Sequence, residues 1–585
     1  MLWRLYVLLV VIAVLAGGFI WWLLRPGEAP PALAAAPLAG VRGYVDQPAL
    51  SPDGSRVAFI SNHLAAENLD VYLKPVGPGA AVRLTTHPAV EYSPAFSPDG
   101  RSIAFLRAAQ GGFHEPSHEI VMPAGGGPER KQAEVRLQPD PHLLPGPFLA
   151  WTPDSTGLVV TDQESPGGSA SLYLLAVGAG DKRRLTSPPQ GAPGDSGPAF
   201  SPDGRTLAFA RFLGFAVGDI FVVPLTAEFM PERDAERRTY ENRFNAMPAW
   251  APDGDEIVYS AWSGSGYALY RVKAAGPEAP QKLSGAGEGG LSASVSARRH
   301  RLLYVRSRSD VNVWRWEAGG LQALVTSERF DGFADVSPDG QQVALTSARS
   351  GSLEVWTCGS HGSNCVQLTS LHAGFTGFPR WSPDRQYLAF FSNLEGQNEV
   401  YVIPASGGRP RRLTEDPADD ILPSWSRDSN WIYFASNLLG AYQVWKVPAF
   451  GAQGRPAQVT SQGGFAALES SDGQFLYYSR EGLFTTSLWR VPVATSGRET
   501  KLLDSVYANG FAVTDRGLYC LLPRPNSHWG ASLQFLNLAG GQPRLVAKLD
   551  RPVHQGLSAA ADARSAVFTQ VDRQLQELML VENFR

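Results

Sequence analysis

The motif HEPSH at residues 114–118 has the residue types of a zinc site, because it matches the pattern H-E-x-x-H. In zinc proteases the two histidines lie one helical turn apart and bind the metal from a single face. Here Pro116 stands inside the motif, and the strand-like sequence EIVM follows it. A proline in a helix interior costs about 3 kcal/mol or more, so the motif does not favour a helix. We expect a polar loop between strands at this position, without a metal.

The sequence GDSGP at residues 194–198 resembles the nucleophile motif of trypsin-like proteases. A serine nucleophile needs a histidine base and a carboxylate that orients the base. No segment before Ser196 resembles the histidine-bearing motif of those enzymes. The run also leads directly into a recurring turn, described below, which explains its place in the chain. We therefore expect no catalysis at Ser196.

The chain as a whole predicts neither an enzyme nor a bound cofactor or metal. It contains no G-x-S-x-G motif, the nucleophile turn of α/β-hydrolases. Two adjacent carboxylates, Asp419 and Asp420, do not predict a calcium site, because no ligand loop surrounds them. The net charge of −4 gives no electrostatic basis for binding nucleic acid, so we expect this chain to bind none.

Cys358 and Cys365 flank the turn GSHGSN between two predicted strands. Outside the cytoplasm such a pair can form a hairpin disulfide. The alternative is two free thiols that face opposite ways, because the sequence does not define the cross-strand register. A metal site with His361 is not predicted, since four ligands are not in view. Cys520 lies in a predicted strand and is most simply a small buried apolar residue.

The element that positions all these residues is a repeated unit marked by the turn S-P-D-G. Proline fixes one φ angle, aspartate bonds its own backbone and glycine accepts a left-handed conformation, so the turn closes a hairpin. An apolar strand precedes the turn and an alternating strand follows it. A third strand comes next, and a fourth lies near a basic-Leu-Thr sequence, as at residues 183–186 and 411–414. Aspartates of intact copies stand at positions 53, 99, 154, 203, 253, 339, 384, 428, 472, 515 and 562.

A degenerate copy around Ser296 raises the count to about twelve units with a period of about 46 residues. Four short antiparallel strands in such a period predict blades, and therefore an all-β fold of tandem β-propellers. Propellers hold about 4–8 blades, so we expect two six-bladed propellers, residues 43–290 and 291–585. Seven plus five is the alternative. The last unit is one strand short, and residues 37–41 are a candidate to complete it.

Four tryptophans stand just before turns of the repeat, at Trp151, Trp250, Trp381 and Trp425. Their recurrence at one place in the unit predicts packing between blades. The alternative is an aromatic lining around the mouth of a binding site, where large aromatic residues are also enriched.

Residues 5–24 form an uncharged apolar run that would span roughly 30 Å as a helix, the hydrocarbon thickness of a bilayer. We expect a transmembrane anchor after a short tail, residues 1–4. A cleaved signal peptide is the alternative, but its apolar core is usually only about 7–15 residues. Residues 25–42 are rich in proline and alanine and predict a tether. The bulk of the chain is then expected in the periplasm or outside the cell.

The S-P-D-G turn followed by an I/L-A-F strand resembles the WD40-like repeats of TolB-type propellers, over essentially the whole chain beyond residue 42. Shorter stretches are similar to membrane-anchored bacterial regulators with a CadC-like layout. These are DQPALSPDG at 46–54, DVNVWR at 310–315 and LPSW at 422–425. In such regulators a cytoplasmic winged-helix domain precedes one membrane span and a propeller array. Only residues 1–4 precede the apolar run here, so the resemblance implies no DNA binding unless the start is placed too late.

The resemblance implies a propeller that binds a protein or small ligand outside the membrane, as the sensory module of a regulator-like protein. The alternative function is an envelope scaffold or transport-accessory protein like TolB. The expected partners are the membrane, through one helix, and a protein or small-molecule ligand whose identity the sequence does not define.

Overall fold

The computed structural model describes residue 3 and residues 33–38, 40–41, 43–62, 68–109, 116–137, 146–165, 168–178, 180–264, 266–451, 454–482, 485–494, 497–524 and 530–585. The apolar run at residues 5–24 lies outside these residues. Within them, no helix is long and apolar enough to cross a membrane. Apart from the 3₁₀ helix Ser284–Ala286, the regular elements are β-strands. The all-β prediction is confirmed.

The recurring turn is held by one set of hydrogen bonds. In the first copy the Ser51 hydroxyl donates to Asp53 Oδ1 (2.6 Å), and the same oxygen accepts the Ser55 amide (3.1 Å). Ser51 Oγ in turn accepts the Arg56 amide (2.9 Å), which begins the next strand. In the copy near residue 472 the hydroxyl comes from Ser470 rather than Ser471, at 2.5 Å from Asp472. The serine or threonine two residues before the aspartate therefore starts the turn.

The turns connect strands of ten four-stranded antiparallel sheets, each built from consecutive strands. Sheets 1 to 5 comprise Val45–Leu50, Arg56–Ser61, Asp70–Pro75 and Val82–Arg83; Glu91–Phe96, Ser102–Arg107, Ser117–Pro123 and Arg130–Val135; Leu149–Trp151, Gly157–Asp162, Ser171–Ala176 and Lys182–Arg184; Gly194–Phe200, Thr206–Gly214, Val217–Pro224 and Glu236–Arg237; and Asn245–Trp250, Glu256–Trp262, Tyr267–Lys273 and Gln281–Lys282.

Sheets 6 to 10 repeat this arrangement in the second half of the chain. They comprise Asp331–Val336, Gln342–Ser347, Glu354–Gly359 and Val366–Gln367; Thr376–Trp381, Tyr387–Ser392, Glu399–Pro404 and Arg411–Arg412; Asp420–Trp425, Trp431–Ser436, Gln443–Pro448 and Ala457–Gln458; Ala467–Glu469, Phe475–Ser479, Thr485–Pro492 and Thr500–Tyr507; and Phe511–Thr514, Gly517–Pro523, Ala531–Asn537 and Arg544–Leu549.

An eleventh sheet, called the shared sheet, has six strands. They are Ala35–Pro37, Gly290–Ser296, Arg301–Glu317, Gly320–Val325, Val553–Ala559 and Ser565–Val581. The two long strands of 17 residues pair antiparallel from Leu302 with Val581 to Glu317 with Ser565. At about 3.4 Å per residue, each is roughly 55 Å long.

Contacts between neighbouring sheets close two rings. Sheets 1 to 5 contact one another in order, and the strand Gly290–Ser296 of the shared sheet contacts both sheet 5 and sheet 1. Sheets 6 to 10 do the same, and the strand Val553–Ala559 contacts both sheet 10 and sheet 6. Each ring therefore consists of five sheets and one end of the shared sheet. The apolar core lies between adjacent sheets of each ring, as expected when blades bury their faces against neighbours.

The shared sheet joins the rings because its two long strands run through both. In the first ring its strand order is Gly290–Ser296, the first part of Arg301–Glu317, the last part of Ser565–Val581, and Ala35–Pro37. In the second ring Val553–Ala559 and Gly320–Val325 pair with the other parts of the same long strands. A single chain position, such as residue 290, does not separate the two rings.

The outermost strand of the shared sheet in the first ring comes from the tether. Ala35–Pro37 pairs with Met579–Val581, and the Leu38 amide donates to the Leu578 carbonyl (2.7 Å). The segment that adds this strand is thus two residues earlier than the expected 37–41. It completes the first ring, because Gly320–Val325 already occupies the corresponding edge in the second ring.

Candidate functional site

The two protease-like motifs lie in different sheets. His118 is in sheet 2 on the strand Ser117–Pro123, while residues 114 and 115 lie outside the described part of the chain. Ser196 is fully buried in sheet 4. Its neighbour Asp195 accepts two hydrogen bonds from Arg211, at 2.7 and 2.9 Å. This carboxylate therefore holds an arginine between adjacent strands rather than a histidine base.

The recurring tryptophans pack between sheets, as predicted. The indole N–H of Trp151 donates to the Ala95 carbonyl (3.1 Å), and Trp250 donates to Ala199 (2.9 Å). Each acceptor is in the first strand of the preceding sheet. Trp425 makes the same bond to Arg380 (3.0 Å). All four tryptophans are buried, so their recurrence reflects sheet packing.

The three cysteines divide into a pair and a single buried thiol. The sulfur atoms of Cys358 and Cys365 are 1.97 Å apart, in a disulfide. Cys520 is a free cysteine inside sheet 10, and burial raises the pKa of its thiol to about 12. It is therefore unsuited to act as a nucleophile near neutral pH.

The central channel of the second ring contains a layer of phenylalanines. Phe333 and Phe378 come from the first strands of sheets 6 and 7, at positions where strand pairing shifts and φ is 52° and 55°. Their rings stack with centroids 3.8 Å apart. Phe375 and Phe391 extend the layer, each within 6.1 Å of Phe378. The layer therefore packs at the first strands of sheets 6 and 7.

A hairpin of the first ring covers this layer. Phe215 lies between the second and third strands of sheet 4, and its ring centroid is 5.3 Å from that of Phe375. The Phe215 amide donates to Asp419 Oδ2 (2.8 Å), and Asn398 Nδ2 donates to the Phe215 carbonyl (2.8 Å). Burial raises the pKa of Asp419 to about 6, although these neighbours donate hydrogen bonds to its carboxylate. The two rings are thus joined at a second place, away from the shared sheet.

On the turn side of the phenylalanine layer, the channel opens into a cavity of about 220 Å³, open solvent included. Its walls come from the first strands of sheets 7, 8 and 9 and from the residue before sheet 10. The lining residues are Phe378, Arg380, Leu422, Pro423, Ser424, Ala466, Ala467, Leu468 and Asn509. This cavity is the candidate functional site.

Arg380 crosses the ring axis beside this cavity. Its Nη2 donates to Asn509 Oδ1 (3.0 Å), on the opposite side of the six-membered ring. Its Nη1 donates to Asp335 Oδ1 (3.1 Å) in the adjacent sheet. Asp335 also accepts hydrogen bonds from the Ser558 hydroxyl (2.8 Å) and the Trp381 amide (2.8 Å). A charge-neutral polar network therefore spans the channel and links four sheets.

The chemistry of the cavity fits binding of a small polar group. The Ser424 hydroxyl is buried there and has no hydrogen-bond partner among the described residues. An unpaired buried hydroxyl is costly, so a ligand atom that bonds to it is favoured. Ligand pockets usually measure about 300–1,000 Å³, whereas the enclosed part of this cavity has room for about one water molecule. Within the described residues, no group of three or more His, Cys, Asp or Glu could hold a metal ion.

None of these lining residues was identified from sequence as a candidate. One signal was present: the position before the last residue of the first strand is alanine at Ala95, Ala199 and Ala249, but arginine at 380 and aspartate at 335. That these two and Asn509 meet across the axis depends on ring closure, which the local pattern does not encode.

A family model described as the TolB beta propeller domain matches residues 150–373 and 335–510, together more than half of the chain. An uncharacterized peptidase, YuxL, of Bacillus subtilis is 27% identical over 207 residues, which is 29% of this chain and 30% of that protein. A TolB homolog of Chlorobium luteolum is 32% identical over 161 residues, 27% of this chain and 32% of that protein. The chain thus spans about a third of the length of these relatives.

Solved structures also resemble the fold. The structure of a putative TolB from Agrobacterium tumefaciens superposes with a TM-score of 0.39 at 16% identity, covering 45% of this chain and 99% of that one.

Proposed function

We propose that this chain, which belongs to the TolB beta propeller domain family, is a non-catalytic binding protein of the bacterial envelope. In this proposal its two rings are two six-bladed propellers, and the channel cavity of the second holds a protruding part of a protein partner. The observation that carries the proposal is the cavity itself, with the unpaired Ser424 hydroxyl between an arginine and an apolar wall.

The dimensions of the cavity favour part of a protein over a free small molecule. The enclosed part of the cavity has room for only about one water molecule, so it excludes a drug-sized ligand, and a partner would reach it with a side chain or a chain end from the open side. Phe378 and Leu422 supply apolar contact, and Ser424 supplies a hydrogen bond at the same wall. Specific partners usually place a few anchor side chains in such pockets.

Binding is favoured over catalysis because the side chains that could act as catalytic groups either bond to other protein groups or lie far from one another in the fold. Arg380 is held by Asp335 and Asn509. Ser196 is buried in another sheet from His118. The relative named as a peptidase is matched over only 30% of its length, so its activity is not carried over to this chain.

We infer further that residues 5–24 anchor the chain in the membrane, with both rings outside the cytoplasm. The pairing of Cys358 with Cys365 supports this location, because disulfides persist in oxidising compartments. Ten residues, 25–34, separate the apolar run from the strand Ala35–Pro37. They reach at most about 34 Å, which would keep the shared sheet close to the bilayer.

A sensory module of a regulator-like protein is the second candidate function. The observation in its favour is that Ala35–Pro37 pairs with a strand that runs through both rings. A ligand-dependent shift of that strand in either ring would therefore also move the segment next to the proposed anchor.

The proposal is tested by photo-crosslinking of the full-length protein in intact cells. A photoreactive residue replaces Leu468, which lines the cavity, or Leu545, which is 50% exposed on an outer strand and serves as the control. We expect a discrete protein adduct from position 468 that is absent from position 545. Arg380→Ala should reduce this adduct at unchanged protein level, because it removes the polar network. Adducts of equal yield at both positions would contradict the channel as the binding site.

A further inference from the structure

The polar side chains that line the cavity of the second ring all keep unused hydrogen-bond donors. They are Arg380, Ser424 and Asn509. The Ser424 hydroxyl is buried, has no partner among the described residues and can rotate to donate. Within the described part of the chain, the side-chain amide nitrogen of Asn509 donates to no acceptor. Arg380 has more N–H groups than the two that bond to Asn509 and Asp335.

The acceptor oxygens around these donors are already in use. The side-chain oxygen of Asn509 accepts from Arg380 (3.0 Å). Asp335 Oδ1 accepts from Arg380 (3.1 Å) and from the Ser558 hydroxyl (2.8 Å). Asp335 Oδ2 accepts the Trp381 amide (2.8 Å). A ligand group that supplies acceptors and no donors therefore complements the cavity best.

The charge that faces the cavity is positive. Of the described residues that line it, Arg380 alone is charged, and its partner Asp335 does not line it. Both side chains are only 13% exposed, so water screens the pair weakly. Hydrogen bonds from arginine to an anionic oxygen are roughly twice as strong as bonds between neutral groups. An anionic acceptor is therefore favoured over a neutral one.

The shape of the cavity favours a small anionic group on an apolar stem. The enclosed part has room for about one water molecule, which is the space that a single ligand oxygen needs. Phe378, Leu422 and Leu468 supply an apolar wall beside it. Carboxylate is the anionic group of an unmodified protein, and it can place one oxygen in the enclosed part while the other stays on the open side.

We propose that the cavity binds a carboxylate of the protein partner, held by Arg380, Ser424 and Asn509. This inference rests on the proposed function, because it names the chemical group that the partner inserts into the cavity. An acidic side chain and a C-terminal carboxylate offer the same chemistry. Either one supplies acceptor oxygens to the unused donors and leaves the ion pair between Arg380 and Asp335 in place.

The test uses the full-length protein in a nonionic detergent, titrated by calorimetry with four short peptides. Acetyl-Gly-Ala with a free C-terminus and acetyl-Gly-Glu-amide each carry one carboxylate, and acetyl-Gly-Ala-amide and acetyl-Gly-Gln-amide are their neutral counterparts. We expect saturable binding of at least one carboxylate peptide, at least about tenfold tighter than its neutral counterpart. Tighter binding of the first peptide indicates a chain end, and tighter binding of the second indicates an acidic side chain. Equal affinity within both pairs, or no saturable binding of any peptide, would overturn the proposal.

A serine variant separates binding from folding. Ser424→Ala removes an unpaired buried hydroxyl, so the thermal unfolding midpoint should not fall, while the carboxylate peptide should bind at least about fivefold more weakly. The matched control is Thr161→Val, which removes another buried hydroxyl without a partner among the described residues, in sheet 3 of the first ring. It should leave the affinity unchanged. Equal affinity of the Ser424→Ala variant and the natural protein would contradict the proposal.

The outcome is separable from that of the proposed function. A specific adduct from position 468 in cells, together with equal affinity for carboxylate and amide peptides, would keep the channel as the binding site and reject the carboxylate. Absence of that adduct would reject the proposed function, whereas the peptides measure the chemistry of the cavity independently of any partner.

Discussion

At the residue scale, the aspartates of the recurring turn act as local acceptors. The Ser337 hydroxyl, the Gln341 amide and Arg385 donate to Asp339, and the first of these is the main cause that lowers its pKa to about 2. The turn type was predictable from S-P-D-G, because the serine, aspartate and backbone bonds that form the turn join residues within five positions.

Asp339→Asn should destabilise the protein at neutral pH by about 1 kcal/mol, the usual worth of one such hydrogen-bonded group. A lowered pKa in the folded state contributes stability above the unfolded pKa of about 3.8, and this contribution is lost as pH falls toward about 2. The difference between variant and natural protein should therefore be constant from pH 7 to about pH 4.5 and shrink below pH 4.

Thermal unfolding midpoints measured across this pH range check the expectation. Asp504→Asn, at a side chain that is 91% exposed, is the control and should show no difference at any pH. If the difference in unfolding midpoint between Asp339→Asn and the natural protein grew as pH falls, the prediction would be wrong.

At the scale of elements, neighbouring sheets are connected by the tryptophan indoles. Packing at these positions was predictable, because tryptophan recurs at the residue before the turn in four copies of the unit, at Trp151, Trp250, Trp381 and Trp425. The differences between copies were not predictable. Trp425 donates to the Arg380 carbonyl, whereas the buried Trp381 Nε1 has no partner among the described residues.

This contrast predicts unequal effects of the same substitution. Trp425→Phe removes a hydrogen bond, which should cost about 0.5–1.5 kcal/mol beyond the lost ring area. Trp381→Phe removes a donor that makes no bond, so it should cost only the ring area. Chemical unfolding of both variants measures the gap, and equal losses would show that the indole bond contributes nothing.

At the scale of the whole molecule, the rings are joined by the shared sheet and by the hairpin that carries Phe215. Its aromatic contacts and its bond to Asp419 link residues 204 positions apart. The hairpin also covers the phenylalanine layer, of which Phe378 lines the cavity. The state of this contact should therefore affect the channel of the second ring.

Phe215→Ala removes a buried ring, a change that usually costs about 3–5 kcal/mol. Because the contact lies between rings, we expect local opening rather than global unfolding. Hydrogen exchange should accelerate in Thr376–Trp381 and Asp420–Trp425, the strands beneath the layer, while sheets 1 to 3 stay protected. The control is Leu545→Ala, at a side chain that is 50% exposed on an outer strand of sheet 10. Unchanged exchange in both strands would show that the hairpin does not hold the channel.

The amino-acid sequence by itself determined the repeated unit, its turn, its strand order and the family to which the unit belongs. These depend on hydrogen bonds and packing within about 46 residues, and such contacts leave a periodic trace in the chain. Only the tertiary structure decided which residues that are distant in the sequence come into contact. The strand Ala35–Pro37 pairs with Met579–Val581, and Arg380 reaches Asn509 across 129 positions. Ring closure brings such residues together through the sum of small angles between successive sheets, and no local pattern encodes that sum. The cavity depends on it.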